Sequence, residues 1–451
     1  MSGGILADLS PVVITVLFFV LWLTGFFTGY PIALVLGFVG ILMGTLVLGF
    51  YPTMNVMYTT GYRQMLHYTL LCLPMFIYMG SMLAKSGVAD SLYDALYLVM
   101  GRLRGSLAIG TVILGTVLAA CIGVVAASVA MLTILGLEPM VRRGYSKSLA
   151  SGTVAASGTL GILIPPSILL IVYGSLLQVS VGKLFMGAVF PGLLLAGLYV
   201  TYIVVRGLLQ PQIAGRASVE ELDIPWSRKL LMLSSSLVPP VVLIFAVLGV
   251  IFLGIAPPTE AAAIGALAAT LLAITKRRFS LRLLKEVTLD SAKVTGFAWL
   301  FFFVGLGATS IFQRLGCAEV VSDIVLAAGG KWVSFFVIML MLFILGMVMD
   351  FFGILFIFAP IFITFCASTG FDPVWFAIMV CVNFQMAFMT PPMALSIFIV
   401  KGTAKPELGV TTADIIRGVY PFVILVMIGL LLCCFFPEII TWLPNNMIRS
   451  M

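Results

Sequence analysis

Two stretches of this 451-residue chain hold residues whose types and spacing suit ion chemistry. In the first, Ser157 and Thr159 precede the pair Pro165-Pro166; in the second, Asn383, Gln385 and Thr390 precede Pro391-Pro392. Proline removes a backbone donor and clashes with the preceding turn, so a helix must open at each pair. The carbonyl oxygens this frees, helped by hydroxyl and amide oxygens, are good ligands for a hard cation such as Na⁺. The half-helices that begin after Pro166 and Pro392 would offer partial positive charge to a carboxylate. Asp350 lies inside the apolar run 335–365, and an acid at such depth is a functional candidate. The alternatives are that both pairs are kinks satisfied by nearby Ser and Thr, and that Asp350 caps the helix after it. Thr259 and Glu260, after Pro258, read as a helix N-terminal cap.

Other chemistries lack their residues. The one histidine, His67, cannot build a metal cluster, and there is no GxSxG, HExxH or His/Asp/Glu cluster, so an enzyme is not expected. The seven cysteines have no CxxC spacing and lie almost entirely in apolar runs, as small buried apolar residues do. The net charge of +7 is spread too thinly for nucleic acid. No cofactor is expected beyond a coupling ion.

The elements that must position these residues are membrane spans. Hydrophobic residues make up 62% of the chain and charged ones 9%, against roughly 25% charged in soluble domains. Apolar runs such as 12–27, 32–50, 184–205 and 415–436 have about the 20 residues that cross a bilayer. The first of them has no basic start and leads straight into the second, unlike a cleavable signal.

The chain also matches itself at an offset of 226 to 230 residues. Ala33 and Gly37 pair with Ala261 and Gly265; Gly87, Asp94 and Gly101 with Gly316, Asp323 and Gly330. Gly123 pairs with Gly353, Pro165-Pro166 with Pro391-Pro392, and Pro191 with Pro421. Paired repeats with sites at broken helices are a building plan of secondary transporters.

The expected fold is therefore an all-α polytopic membrane protein with about ten spans, near 11–27, 31–51, 66–84, 148–177, 184–206, 231–254, 258–275, 294–312, 373–399 and 412–440. Two re-entrant hairpins, 106–141 and 333–369, are too long for one span and short for two. Gly123 and Gly353 near their middles would permit the turns. Nineteen of the 24 Lys and Arg then fall on one face, and only Arg63, Lys183, Arg314, Lys331 and Arg449 on the other. Positive residues stay cytoplasmic, so both termini would be periplasmic and the hairpins would enter from opposite faces, making the repeats inverted. Segments 86–104 and 315–332 read as arm helices along the membrane face. The chain would then divide into scaffold and arm 1–105, hairpin and broken helix 106–183, scaffold and arm 184–332, hairpin and broken helix 333–411, and a C-terminal span 412–451.

At this point SGTVAASGTLGILIPPS with GAVFPGLLLAGLY, MVRRGYSKSLASG, PPTEAAAIGALAA, GMVMDFFG and NFQMAFMTPP resemble, in order, the large membrane subunit of tripartite ATP-independent periplasmic (TRAP) transporters. The resemblance runs from about Gly29 to Leu443. It implies an elevator-type importer of the bacterial inner membrane, coupled to Na⁺. It also implies a small four-span partner subunit and a periplasmic binding protein that delivers a small organic anion, a carboxylate or sugar acid. Carried over, one Na⁺ site would use Gly123, Ser157, Gly158, Thr159 and Pro165. The other would use Asp350, Gly353, Asn383, Thr390 and Pro391, with Ser128, Ser167 and Gln385 as substrate contacts. The chain departs from the family at Cys121-Ile122, where Ser-Thr is usual, and at Ala387 and Ala394, where glycines are usual. A stand-alone sodium/dicarboxylate symporter of similar inverted-repeat design is the alternative.

Overall fold

The computed structural model describes residues 4–447 apart from 7, 102, 124, 216–224, 328 and 393, and among them it contains helices and no strand. Arg102, Arg216 and Arg449 of the charge count lie outside the described residues. The first half contributes α1 (Pro11–Phe26), α2 (Ile32–Leu48), α3 (Phe50–Met65), α4 (Cys72–Lys85) and α5 (Val88–Met100). Next come α6 (Ser106–Ile122), α7 (Val125–Leu132), α8 (Glu138–Arg142), α9 (Lys147–Thr159), α10 (Ile168–Leu177) and α11 (Val181–Leu209). The second half contributes α12 (Trp226–Phe252), α13 (Pro258–Thr275), α14 (Leu281–Arg314), α15 (Cys317–Ala327) and α16 (Lys331–Gly346). It ends with α17 (Phe351–Thr369), α18 (Pro373–Met389), α19 (Leu395–Thr403), α20 (Thr412–Phe435) and α21 (Glu438–Asn445).

Local chemistry sets many of these boundaries. Pro11, Pro258 and Pro373 stand at first helical positions, where a missing N–H costs nothing. Ser146, Ser280 and Asp372 accept from the backbone N–H three residues on, and Thr411 with Asp414 forms a reciprocal capping box.

The duplication is visible in the backbone. Gly87 and Gly316 both turn with positive φ, +74° and +73°, immediately before the arm helices α5 and α15. Gly144 and Gly370, at +79° and +70°, separate each hairpin from its broken helix, and Pro165-Pro166 and Pro391-Pro392 are both cis.

Each hairpin is antiparallel. A Cβ at Gly136 would touch Thr111 and one at Gly115 would touch Leu132 across the first. Across the second, Trp332 and Phe371 stack edge-on at 5.2 Å. The turns differ, which corrects the matching of Gly123 with Gly353. Gly123 closes α6 with φ +63°, but Gly353 is the third residue of α17 and lies inside that helix. In the second turn, Met347 to Met349 bond back to Phe343 and Leu345, and the extended Asp350 caps α17. A capping carboxylate there takes the place of a left-handed glycine.

Among the described residues, eight helical stretches are long and apolar enough to cross a bilayer, or nine with the bent pair α15–α16, which meet at 119°. This differs from the ten spans read from hydropathy. α1 and α2 fall short, and the stretches 148–177 and 373–399 are each two short helices across a break. The second arm of each hairpin, 125–142 and α17, qualifies instead. Hydropathy counts apolar residues and does not sense where a helix stops.

Two further elements escaped the sequence. Residues 50–65 form α3, whose buried Thr53, Val56, Met57 and Gly61 lie on one face against α14. α14 begins at Leu281 and runs 34 residues without a break, so Arg282, Lys285 and Lys293 are helical and not in a loop.

The packing falls into two groups. α14 lies against α2, α3 and α4, and α13 against α4 and α12. α9 is enclosed by α6, α7, α18, α19 and α20. The groups touch where α4 meets α6 and where α14 meets α17. There Pro360 leaves the Phe356 carbonyl without its helical donor, and the Thr309 hydroxyl of α14 donates to it.

Candidate functional site

The first hairpin lies along α9 through small residues. A Cβ at Gly158 would sit 2.3 Å from Val129, and one at Gly115 would sit 2.7 Å from Ser157. Its tip reaches the proline break itself, where a Cβ at Gly123 would lie 2.8 Å from the Pro166 carbonyl oxygen and 3.5 Å from the Ile168 nitrogen. The second hairpin meets α18 in the same way. Gly346 packs on Ala387, and the Asn383 amide donates to the Met339 carbonyl of α16 at 2.7 Å.

Both breaks are partly satisfied from within. The carbonyl four residues before each second proline loses its helical donor. Ile162 receives the Ser167 hydroxyl at 2.6 Å, and Phe388 receives that of Ser396 at 2.9 Å. Ser167 is thus committed to the backbone. Ser396, which the sequence reading did not single out, performs the matching task, and its signal was a hydroxyl four residues beyond Pro392. Thr159 and Thr390 donate to Ala156 and Met386 in their own helices.

Other polar groups remain without partners. Ser128, Ser157 and Gln385 are wholly buried, and the two hydroxyl oxygens and both amide atoms of Gln385 make no hydrogen bond. Leaving such a group bare costs about 1–3 kcal/mol, so buried groups of this kind normally have an ion, a water or a ligand beside them. Asp350 caps α17 by accepting from Phe352 at 3.3 Å, which is the capping role weighed against ion binding. Among the described residues it has no cationic side chain within 4 Å.

The two tips share one cavity of about 660 Å³. Gly123 and Asp350 line it, with Ile162, Ile168 and Leu395 beside the breaks, residues 29–32 between α1 and α2, and Lys293, Phe297 and Phe301 of α14. Of the predicted site residues, only Gly123 and Asp350 are on its wall. Ser157, Gly158, Thr159, Pro165, Gly353, Asn383, Thr390 and Pro391, like Ser128, Ser167 and Gln385, are not among its lining. The side chains at 121 and 122, where Cys121-Ile122 departs from the family, lie outside the described residues, as does position 124. The α14 residues were missed by the sequence reading, although their spacing of four places them on one helix face.

Gly123→Ala should be among the most damaging small substitutions. Left-handed backbone costs a non-glycine residue about 1–2 kcal/mol, and the new methyl would overlap the Pro166 carbonyl. The expected result is a lowered melting temperature together with loss of any Na⁺-dependent stabilisation; an unchanged response to Na⁺ would count against ion binding at this tip.

Comparison with known proteins agrees with this geometry. Residues 15–439 match the family described as "Tripartite ATP-independent periplasmic transporter, DctM component". The "C4-dicarboxylate TRAP transporter large permease protein DctM" of Pseudomonas aeruginosa is 34% identical over 386 residues, 84% of this chain and 87% of that one. The "Sialic acid TRAP transporter large permease protein SiaM" of Vibrio cholerae is 28% identical over 447 residues, 94% and 97% of the two chains. The solved YdaH transporter of Alcanivorax borkumensis shares the fold, with TM-score 0.60 and 16% identity over 94% of this chain and 98% of that one. A family match across nearly the whole sequence, on a fold whose paired hairpins meet paired broken helices, makes this chain a multi-pass large permease subunit of the TRAP transporter family.

Proposed function

We propose that the chain is the importing subunit of a Na⁺-coupled, binding-protein-dependent transporter of small organic anions in the bacterial inner membrane. The observation that carries this reading is the meeting of both hairpin tips and the flanks of both proline breaks around one cavity, with unpartnered buried oxygens on the hairpin and broken helices. One Na⁺ would be held near Gly123, Ser157, Gly158, Thr159 and Pro165, and another near Asp350, Gly353, Asn383, Thr390 and Pro391, many through backbone oxygens. Ser128 and Gln385 stand close in chain to these groups and would complete ion or substrate contacts once charged ligands arrive.

The mechanism is of the elevator type. The hairpins, broken helices and α20 move as one body against a scaffold of α2, α3, α4, α13 and α14. Ion pairs support the unity of the moving body: Glu138 at the base of the first hairpin binds both Arg142 and Lys405, each at 2.8 Å, and Lys147 donates to the Gly409 carbonyl at 2.8 Å. The charge count puts residues 29–32 and Lys293 on the cytoplasmic side and both termini in the periplasm, so the cavity corresponds to an inward-open state. A separate small four-span subunit and a periplasmic binding protein complete the system. The relatives' names span a dicarboxylate and a sialic acid, in keeping with specificity that rests largely on the binding protein.

The test is uptake by proteoliposomes holding this chain and its small subunit, with the loaded binding protein outside. Uptake should require both the binding protein and an inward Na⁺ gradient, and K⁺ should not replace Na⁺. Uptake without the binding protein would favour the stand-alone symporter, and uptake without Na⁺ would end the coupling proposed here.

A further inference from the structure

The chemistry of the cavity wall bears on what this transporter accepts. Two residues of the lining carry charge, Lys293 and Asp350, and nearly all the rest are apolar or glycine. Lys293, Phe297 and Phe301 succeed one another at intervals of four along α14, which sets an ammonium group and two aromatic rings on one face. Phe297 and Phe301 pack edge-on at 5.0 Å, and Phe301 stacks on Phe352 of the second hairpin at 5.0 Å, forming a continuous aromatic wall from α14 to the tip.

The acids near Lys293 are engaged elsewhere. Asp290, three residues earlier on α14, is held by Lys85 at 2.6 Å with Lys293 acting on it only as a lesser, more distant charge, and Glu286 by Lys85 and Arg282. No ion pair within 4 Å involves Lys293 among the described residues. The other charged residue of the lining, Asp350, is an acid, and its natural ligand is a cation.

We propose that this cavity takes an organic anion with a single negative charge and an apolar body, its carboxylate paired with Lys293 and its body against Phe297 and Phe301, and that it discriminates against dicarboxylates. This rests on the transporter function proposed for the chain. One carboxylate is matched by one ammonium group. A second would have to leave water for an apolar wall or for the neighbourhood of Asp350, and an unpaired charge in such a place is strongly disfavoured. The volume of about 660 Å³ lies within the range of small-molecule sites. Lys293 stands on α14 and the hairpin tips do not, so this contact exists only while the tips lie beside α14.

The experiment measures ligand binding to the full chain in lipid nanodiscs by thermal shift and calorimetry, in Na⁺ buffer. The probes are phenylacetate, hexanoate, succinate and the neutral phenylacetamide. Phenylacetate and hexanoate should bind, with succinate and phenylacetamide at least about tenfold weaker, the factor expected for one charge-assisted contact. Lys293→Gln should weaken phenylacetate by about tenfold and leave stabilisation by Na⁺ alone intact, and Lys293→Arg should retain binding. Lys293 is exposed, so neither variant threatens the fold. The proposal is overturned if neither monocarboxylate binds, if succinate or phenylacetamide binds as tightly as phenylacetate, or if Lys293→Gln binds phenylacetate like the wild type. Stabilisation by Na⁺ alone, read in the same samples, reports on the transporter function separately.

Discussion

Asp350→Asn should leave a folded protein that no longer uses Na⁺. Asparagine is as good an N-cap as aspartate, so the bond accepted from Phe352 survives and α17 still begins where it does. Only the charge disappears. A carboxylate about 3 Å from a monovalent cation at an effective dielectric near 20 contributes about 5 kcal/mol before desolvation reduces it. A surviving contribution of about 3 kcal/mol is about 100-fold in ion affinity. The measurement pairs the melting temperature in choline, which should match the wild type, with the shift produced by Na⁺, which should vanish along with Na⁺-driven uptake. If Asp350 is only a cap, Asn will be silent in both, and Asp350→Ala will lower stability without altering the Na⁺ response.

The second large effect is structural and lies between α9 and α20. A Cβ at Gly418 would sit 2.0 Å from the Ser148 carbonyl oxygen, and one at Gly152 would sit 2.2 Å from that of Gly418. Backbone meets backbone here, as small residues allow in membrane helix pairs, and no side-chain rotation can relieve the overlap. Gly418→Leu should therefore cost at least about 3 kcal/mol, the upper end of overpacking, and separate α20 from the first broken helix. Fluorescence-detected size exclusion should show aggregated or absent protein. Gly197→Leu on α11 is the control, since no atom lies within 4 Å of its added Cβ. Recovery of Gly418→Leu with wild-type melting would mean that α20 is not tied to α9.

The two broken helices and Asp350 were legible because their signals are local. Pro165-Pro166 and Pro391-Pro392 do interrupt their helices, although Pro239-Pro240 lies inside the unbroken α12, and an acid in an apolar run stands out by composition alone. The near-constant offset between halves located both breaks and both arm helices, and the glycines before those arms do turn as matching residues should. The same method failed at Gly353, where identity at a plausible offset hid a different turn chemistry. It also failed at α3, whose exposed aromatics and polar residues mask a buried stripe that has meaning only against α14.

The amino-acid order by itself determined that this is a duplicated membrane protein and which acid stands in an apolar run, because each is read from composition and repetition along the chain. Only the tertiary structure decided that the two tips face one cavity, that serines already occupy two of the freed carbonyls, and that Lys293 with its two phenylalanines lines the same cavity. Those facts depend on how helices more than a hundred residues apart pack, and packing is set by the summed fit of many side chains that no single stretch of chain contains.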